Sequence, residues 1–146
     1  APASCSLISP EIYQKFIQPY HAQLVDFYKI NKMGSSLHVC GYIDPIMEDV
    51  LNCGFGSVSI DAPTSLKRMV ELNQKRTVII GNVATDLFVR GTPEQMDEAI
   101  KRCLEVAADG SAYIVATGCE IPANSDPEKV HYFVEAVNRL GRYNRY

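Results

Sequence analysis

The sequence predicts an α/β fold in which a parallel β-sheet is built from repeated strand-and-helix units. Apolar runs of four or five residues recur along the 146-residue chain, and stretches with helical periodicity separate them. These runs are continuously apolar rather than alternating, which is typical of parallel strands covered on both faces. Two architectures fit this pattern: a complete small doubly wound sheet, and half of an eightfold βα barrel, which normally needs about 250 residues.

The first predicted element is a helix with a break in it. Ser9 is a suitable N-cap, and Pro10 occupies the first helical position, where its missing N–H has no partner to lose. Apolar residues then recur every three or four positions to about Asn31. Pro19 lies inside this segment, and an interior proline loses a backbone hydrogen bond and clashes with the preceding turn. We therefore expect a kink or a break between Phe16 and Pro19.

Four strand-and-helix units follow this first helix. The predicted strands are 36–40, 57–60, 77–80 and 112–116, and the predicted helices are 44–52, 64–73, 92–107 and 126–140. The third of these helices has the clearest start, because Thr92, Pro93 and Gln95 match a capping box, and Asp109-Gly110 is expected to end it. The segment 86–90 is expected to be a loop. The sequence therefore predicts four parallel strands and about five helices.

Composition and charge exclude several classes of function. A hydrophobic content of 47% is that of a globular protein, and the length fits a single domain spanning residues 1–146. The net charge of −3 argues against nucleic-acid binding, and no apolar run approaches the roughly 18 residues of a membrane span. Five cysteines without tight spacing do not indicate a disulfide framework, so we expect a reducing, cytoplasmic location.

Polar residues follow each of the four predicted strands. They are Cys40, Asp61, Asn82 and Cys119. In both candidate architectures, function collects at the carboxyl ends of the strands. His38 precedes Cys40 by two positions, so a strand directs both side chains to one face. Zinc binds cysteine sulfur and histidine nitrogen, and a catalytic zinc keeps one position open for substrate.

The residues alone therefore leave two interpretations open. In the first, His38, Cys40 and Cys119 form a metal site supplied by two strand ends. In the second, the two cysteines are small buried hydrophobic residues, and His38 is a hydrogen-bonded core residue. Asp61 and Asn82 are either pocket residues or cap and turn residues.

At these positions the chain resembles the uroporphyrinogen decarboxylase superfamily, and the resemblance covers nearly the whole chain. The matching segments are 37–41 (LHVCG), 53–55 (CGF) before 59–61 (SID), 81–83 (GNV), and 118–122 (GCEIP) leading to 126–128 (DPE). This resemblance implies the C-terminal half of a (β/α)₈ barrel. Such a half would leave both sheet edges open, and pairing with a second copy or with the other barrel half would satisfy them.

The resemblance also implies an activity. Members that are true decarboxylases typically have Gly-His at the end of the last strand, where this chain has Gly118-Cys119. The chain is more similar to the cobamide-dependent methyltransferase branch of methanogens and other anaerobes. Carried over residue by residue, His38, Cys40 and Cys119 are zinc ligands. A partner, the methylated corrinoid protein, carries the methylcobamide, and a small thiol such as coenzyme M accepts the methyl group.

Two further residues and two alternative functions complete these expectations. Asp61 and Asn82 match positions that line the pocket of the family, which implies a role in substrate binding. No catalytic residue is assigned beyond the metal ligands. The alternative functions are metal-free decarboxylation of a porphyrinogen and a non-catalytic fragment or interaction module.

Overall fold

The computed structural model describes residues 3–108 and 112–141. Within these ranges, the strands form one sheet of four in the order β1-β2-β3-β4, and every neighbouring pair is parallel. The strands are β1 (Ser36–Val39), β2 (Ser57–Ile60), β3 (Val78–Val83) and β4 (Tyr113–Thr117). The predicted α/β class with parallel βα repeats is confirmed. Four successive units in sequential order are half of a (β/α)₈ barrel.

Seven α-helices lie in the described part of the chain, where the sequence predicts about five. The difference has two sources: the first helix is divided in two, and the expected loop at 86–90 contains a short helix. The helices are α1 (Pro10–Phe16), α2 (Gln18–Ile30), α3 (Met47–Asn52), α4 (Leu66–Asn73), α5 (Leu87–Arg90), α6 (Pro93–Ala107) and α7 (Pro127–Leu140). The predicted helix end at 109–110 lies outside the described residues. Among the described helices, none is both long and apolar enough to cross a lipid bilayer.

The break in the first helix lies where the proline predicts it. Helix α1 ends at Phe16, and Ile17 leaves helical geometry with φ −122° and ψ −51°. Helix α2 then begins at Gln18, which places Pro19 in its first turn. A proline in the first turn loses no hydrogen bond, because the first N–H groups of a helix have no intrahelical acceptor.

The two faces of the sheet have different environments. On one face Val39, Val58 and Ile79 are fully buried in the core beneath the helices. On the other face His38 is exposed and Ile114 is 52% exposed. The sequence predicts burial on both faces, and the structure corrects this expectation, because no opposing strands cover the second face within the described residues. We call this second face, which lines the interior of a complete barrel, the open face.

The start of α6 offers a direct test of the predicted capping box. The Gln95 N–H donates to Thr92 Oγ1 at 3.3 Å, and the Thr92 N–H donates to Gln95 Oε1 at 2.9 Å, which confirms the box. Thr92→Ala is expected to lower the free energy of unfolding by about 1 kcal/mol, because it leaves a helix N–H without its acceptor. Urea unfolding measures this loss. Thr92→Ser keeps the hydroxyl and is the control, and an equal loss in both variants would contradict the capping role.

Candidate metal centre

His38, Cys40 and Cys119 lie together at the carboxyl ends of β1 and β4. One candidate ligand atom from each residue lies within 4.8 Å of the others. Cys40 Sγ is 3.2 Å from His38 Nε2 and 3.3 Å from Cys119 Sγ. In this chain His38 is exposed and both thiols are partly buried. Within residues 3–108 and 112–141, this is the one cluster of three such side chains in metal-binding geometry.

The approach of Cys119 to Cys40 depends on Gly118. Strands β1 and β4 are the outer strands of the sheet, so β2 and β3 separate them. The Gly118 N–H donates to the Val83 carbonyl at the end of β3 at 2.7 Å. A Cβ added to Gly118 would lie 2.6 Å from the Ala62 nitrogen, just beyond β2, and 3.0 Å from Asp61 Oδ1. The backbone at Gly118 therefore packs against the ends of both inner strands, and a side chain there would prevent this approach.

Asp61 holds the turn after Cys40 and lies close to Gly118, the residue before Cys119. Its Oδ2 accepts from the Gly41 N–H at 2.7 Å, directly after Cys40, and its Oδ1 accepts from the Ala62 N–H at 2.7 Å. Gly41 has a φ of 76°, a left-handed conformation that glycine adopts readily. The carboxylate therefore holds the turn after Cys40 and also faces Gly118. The substrate-binding role predicted for Asp61 stays a prediction beside this contact with the backbone.

Asn82 has a comparable set of backbone contacts. Its Nδ2 donates to the Asp61 carbonyl at 3.1 Å and to the Thr64 carbonyl at 2.8 Å, so the amide holds the loop between β2 and α4. Asn82 also lines a cavity of about 430 Å³, together with Ala62 and Arg102. The substrate-binding role predicted for Asn82 stays a prediction. The sequence left open whether Asp61 and Asn82 are pocket residues or cap and turn residues. Their backbone partners in distant loops could not be predicted, because a hydrogen bond to a distant backbone leaves no local pattern.

The donor set of the cluster fits a divalent metal ion. Contact with the Cys40 thiol raises the pKa of the Cys119 thiol above its ordinary value, and burial and the Asp61 carboxylate act in the same direction. Two thiols in contact resist losing both protons unless a cation lies beside them, since the two thiolates would repel each other. A bound metal supplies that positive charge. Two sulfurs and one imidazole nitrogen are a ligand set that suits zinc and leaves a fourth position open.

The fold and this cluster together define a class of protein: parallel βα units with a histidine and two cysteines at the strand ends. Residues 2–140 match the family described as Uroporphyrinogen decarboxylase (URO-D). The chain therefore belongs to the uroporphyrinogen decarboxylase family, which confirms the resemblance seen in the sequence.

Named relatives indicate a branch of this family. Methylcobamide:CoM methyltransferase MtbA of Methanosarcina acetivorans is 30% identical over 136 residues, which cover 92% of this chain and 39% of the relative. Methylated-thiol--coenzyme M methyltransferase of Methanosarcina mazei is 30% identical, and the match covers 97% of this chain and 37% of the relative. A solved structure of a methyltransferase from Methanosarcina mazei aligns with a TM-score of 0.82 and 26% identity over 97% of this chain and 40% of that chain. The chain thus spans about two fifths of the length of these relatives.

Proposed function

We propose that this chain is the C-terminal part of a barrel that performs zinc-dependent methyl transfer from a methylated corrinoid protein to a small thiol such as coenzyme M. The observation that carries the proposal is the meeting of His38, Cys40 and Cys119 within 4.8 Å at the carboxyl ends of the strands. The names of the relatives support it, because they are methyltransferases that act on coenzyme M. Residues 1–146 would belong to one domain, as the C-terminal part of this barrel.

In this proposal the chain supplies the three zinc ligands, and the negative charge of two of them offsets the charge of the ion. Zinc held by His38, Cys40 and Cys119 would keep a coordinated substrate thiol deprotonated near neutral pH. The two thiolates and the neutral imidazole offset the charge of a divalent ion, so the sulfur of a bound substrate stays electron-rich and nucleophilic. The methylated corrinoid would supply the methyl group: the substrate sulfur would bond to the methyl carbon as the carbon–cobalt bond breaks, and the electron pair of that bond would stay with cobalt.

The position of the cluster suits a donor that is carried by another protein. His38, Cys40 and Cys119 lie at the carboxyl ends of β1 and β4, the end of the strands that forms the mouth of a complete barrel. A methyl group bound to cobalt lies above a flat corrin ring, so it would reach an acceptor at the mouth of the barrel. Asp61 would keep the turn after Cys40 in place as the partner approaches, through its hydrogen bond to the Gly41 N–H.

Metal analysis and a transfer assay test this function. The anaerobically purified chain is expected to contain about one zinc ion. The complete barrel of which this chain would be the C-terminal part is expected to transfer the methyl group of methylcobalamin to 2-mercaptoethanesulfonate, with loss of the methylcobalamin absorbance. A chelator is expected to abolish the transfer, and added zinc is expected to restore it. Absence of zinc, transfer that persists in the chelator, or turnover of uroporphyrinogen in place of methyl transfer would each contradict the proposal.

A further inference from the structure

The imidazole of His38 contacts a different partner at each nitrogen. Its Nε2 faces Cys40 Sγ at 3.2 Å, and its Nδ1 lies 3.0 Å from Ser59 Oγ. Ser59 is the register partner of His38 on the neighbouring parallel strand β2. Its side chain therefore lies on the open face, beside the imidazole and away from the two thiols.

The chemistry of metal binding requires one tautomer of this histidine. A neutral imidazole carries one proton, and the nitrogen that binds a metal must be the one without it. Since Nε2 is the nitrogen that faces the thiols, the proton must lie on Nδ1. A serine hydroxyl can either accept a proton from Nδ1 or donate its own hydrogen to it. In the arrangement that metal binding at Nε2 requires, Ser59 Oγ accepts the Nδ1 proton and the hydroxyl hydrogen of Ser59 rotates elsewhere.

We infer that Ser59 is a positioning residue that holds His38 in the Nδ1–H tautomer and fixes its ring, with Nε2 directed at the metal site. The role in metal binding rests on the proposed function, whereas the tautomer of His38 can be measured in the metal-free chain. His38 is exposed in this chain, and the contact of Nδ1 with Ser59 orients its ring together with the contact of Nε2 with Cys40. Ser59 acts on the side chain of a ligand, which distinguishes it from Asp61, whose contacts are with backbone N–H groups.

Nitrogen NMR of the metal-free chain tests the tautomer directly. The chain has three histidines, so the signals of His38 can be assigned with a His38→Gln variant. In the neutral form of the imidazole, Nδ1 of His38 is expected to be protonated and Nε2 unprotonated. Ser59→Ala is expected to give a mixture of the two tautomers or the Nε2–H form. Ser59→Thr keeps the hydroxyl and is expected to restore the wild-type signals.

Zinc affinity provides the second measurement, by competition with a chromophoric chelator. Ser59→Ala is expected to weaken zinc binding by about 10-fold, which is the lower end of the usual loss when a hydrogen-bond partner of a metal ligand is removed. Ser59→Thr is expected to recover the wild-type affinity. Ser57→Ala is the matched control, since Ser57 lies two residues earlier on the same face of β2, opposite Ser36. Unchanged tautomer and affinity in Ser59→Ala, or an equal loss in Ser57→Ala, would overturn the inference. A wild-type chain without zinc would overturn the proposed function, and the tautomer would still decide the role of Ser59.

Discussion

Replacing Cys119 with alanine is expected to lower the affinity of the chain for zinc by more than about 100-fold. Loss of a residue that only hydrogen-bonds to a metal ligand already lowers metal affinity by about 10- to 100-fold, and Cys119 is a ligand itself in this proposal. Cys119 is the one member of the cluster that comes from the end of β4, and its sulfur lies 3.3 Å from that of Cys40. Without it, only His38 and Cys40 remain, two positions apart at the end of a single strand. Two ligands leave half of a tetrahedral zinc site to solvent, so the ion dissociates readily.

Chelator competition measures this loss of affinity, and thermal unfolding provides an independent measurement of zinc binding. A ligand that binds only the folded state stabilises it by about 2.7 kcal/mol at a concentration of 100 times its Kd. Zinc is therefore expected to raise the melting temperature of the wild-type chain and to leave that of Cys119→Ala nearly unchanged. Cys5→Ala is the control, because Cys5 is a partly buried free thiol outside the cluster. Wild-type affinity in Cys119→Ala would show that Cys119 is not a ligand.

Most of the fold could be predicted because the sequence patterns that specify its helices join residues within one helical turn of each other. The pair Ser9-Pro10 and the capping box at Thr92 specify helix starts through neighbours three residues away or fewer. Pro19 marks the break in the first helix for the same reason. Helix α5, from Leu87 to Arg90, was not predicted, because four residues are too few to show a helical period and Asp86 makes no side-chain cap.

Only part of the candidate site could be predicted from local patterns, because some of its residues are far apart in the sequence. His38 and Cys40 form a recognisable pair because two residues on a strand share a face, and this needs no tertiary information. Cys119 lies 79 residues beyond Cys40, and its place beside Cys40 depends on a backbone approach at Gly118 that no local pattern specifies. The contact between Ser59 and His38 was likewise invisible, because it depends on the register of β1 and β2.

Gly118→Ala is expected to destabilise the fold and to displace Cys119 from Cys40. The new Cβ would lie 2.6 Å from the Ala62 nitrogen and 3.0 Å from Asp61 Oδ1, so the segment that carries Cys119 must move away from the end of β2. We expect a loss of about 1–3 kcal/mol in the free energy of unfolding, as for other overpacked sites. Zinc affinity is also expected to fall by at least about 10-fold, because Cys119 moves with this segment.

Gly34→Ala separates this steric effect from the general effect of the substitution. Both variants remove a glycine from a connecting segment, and at a compatible site this change alone stabilises a protein by about 0.4–1 kcal/mol through the unfolded chain. A Cβ on Gly34 would meet nothing within 4 Å, so Gly34→Ala should match or exceed the stability of the wild type and bind zinc normally. Urea unfolding and chelator competition on both variants measure the difference. If Gly118→Ala equals Gly34→Ala in both measurements, the close approach at Gly118 does not hold Cys119 beside Cys40, and another contact must do so.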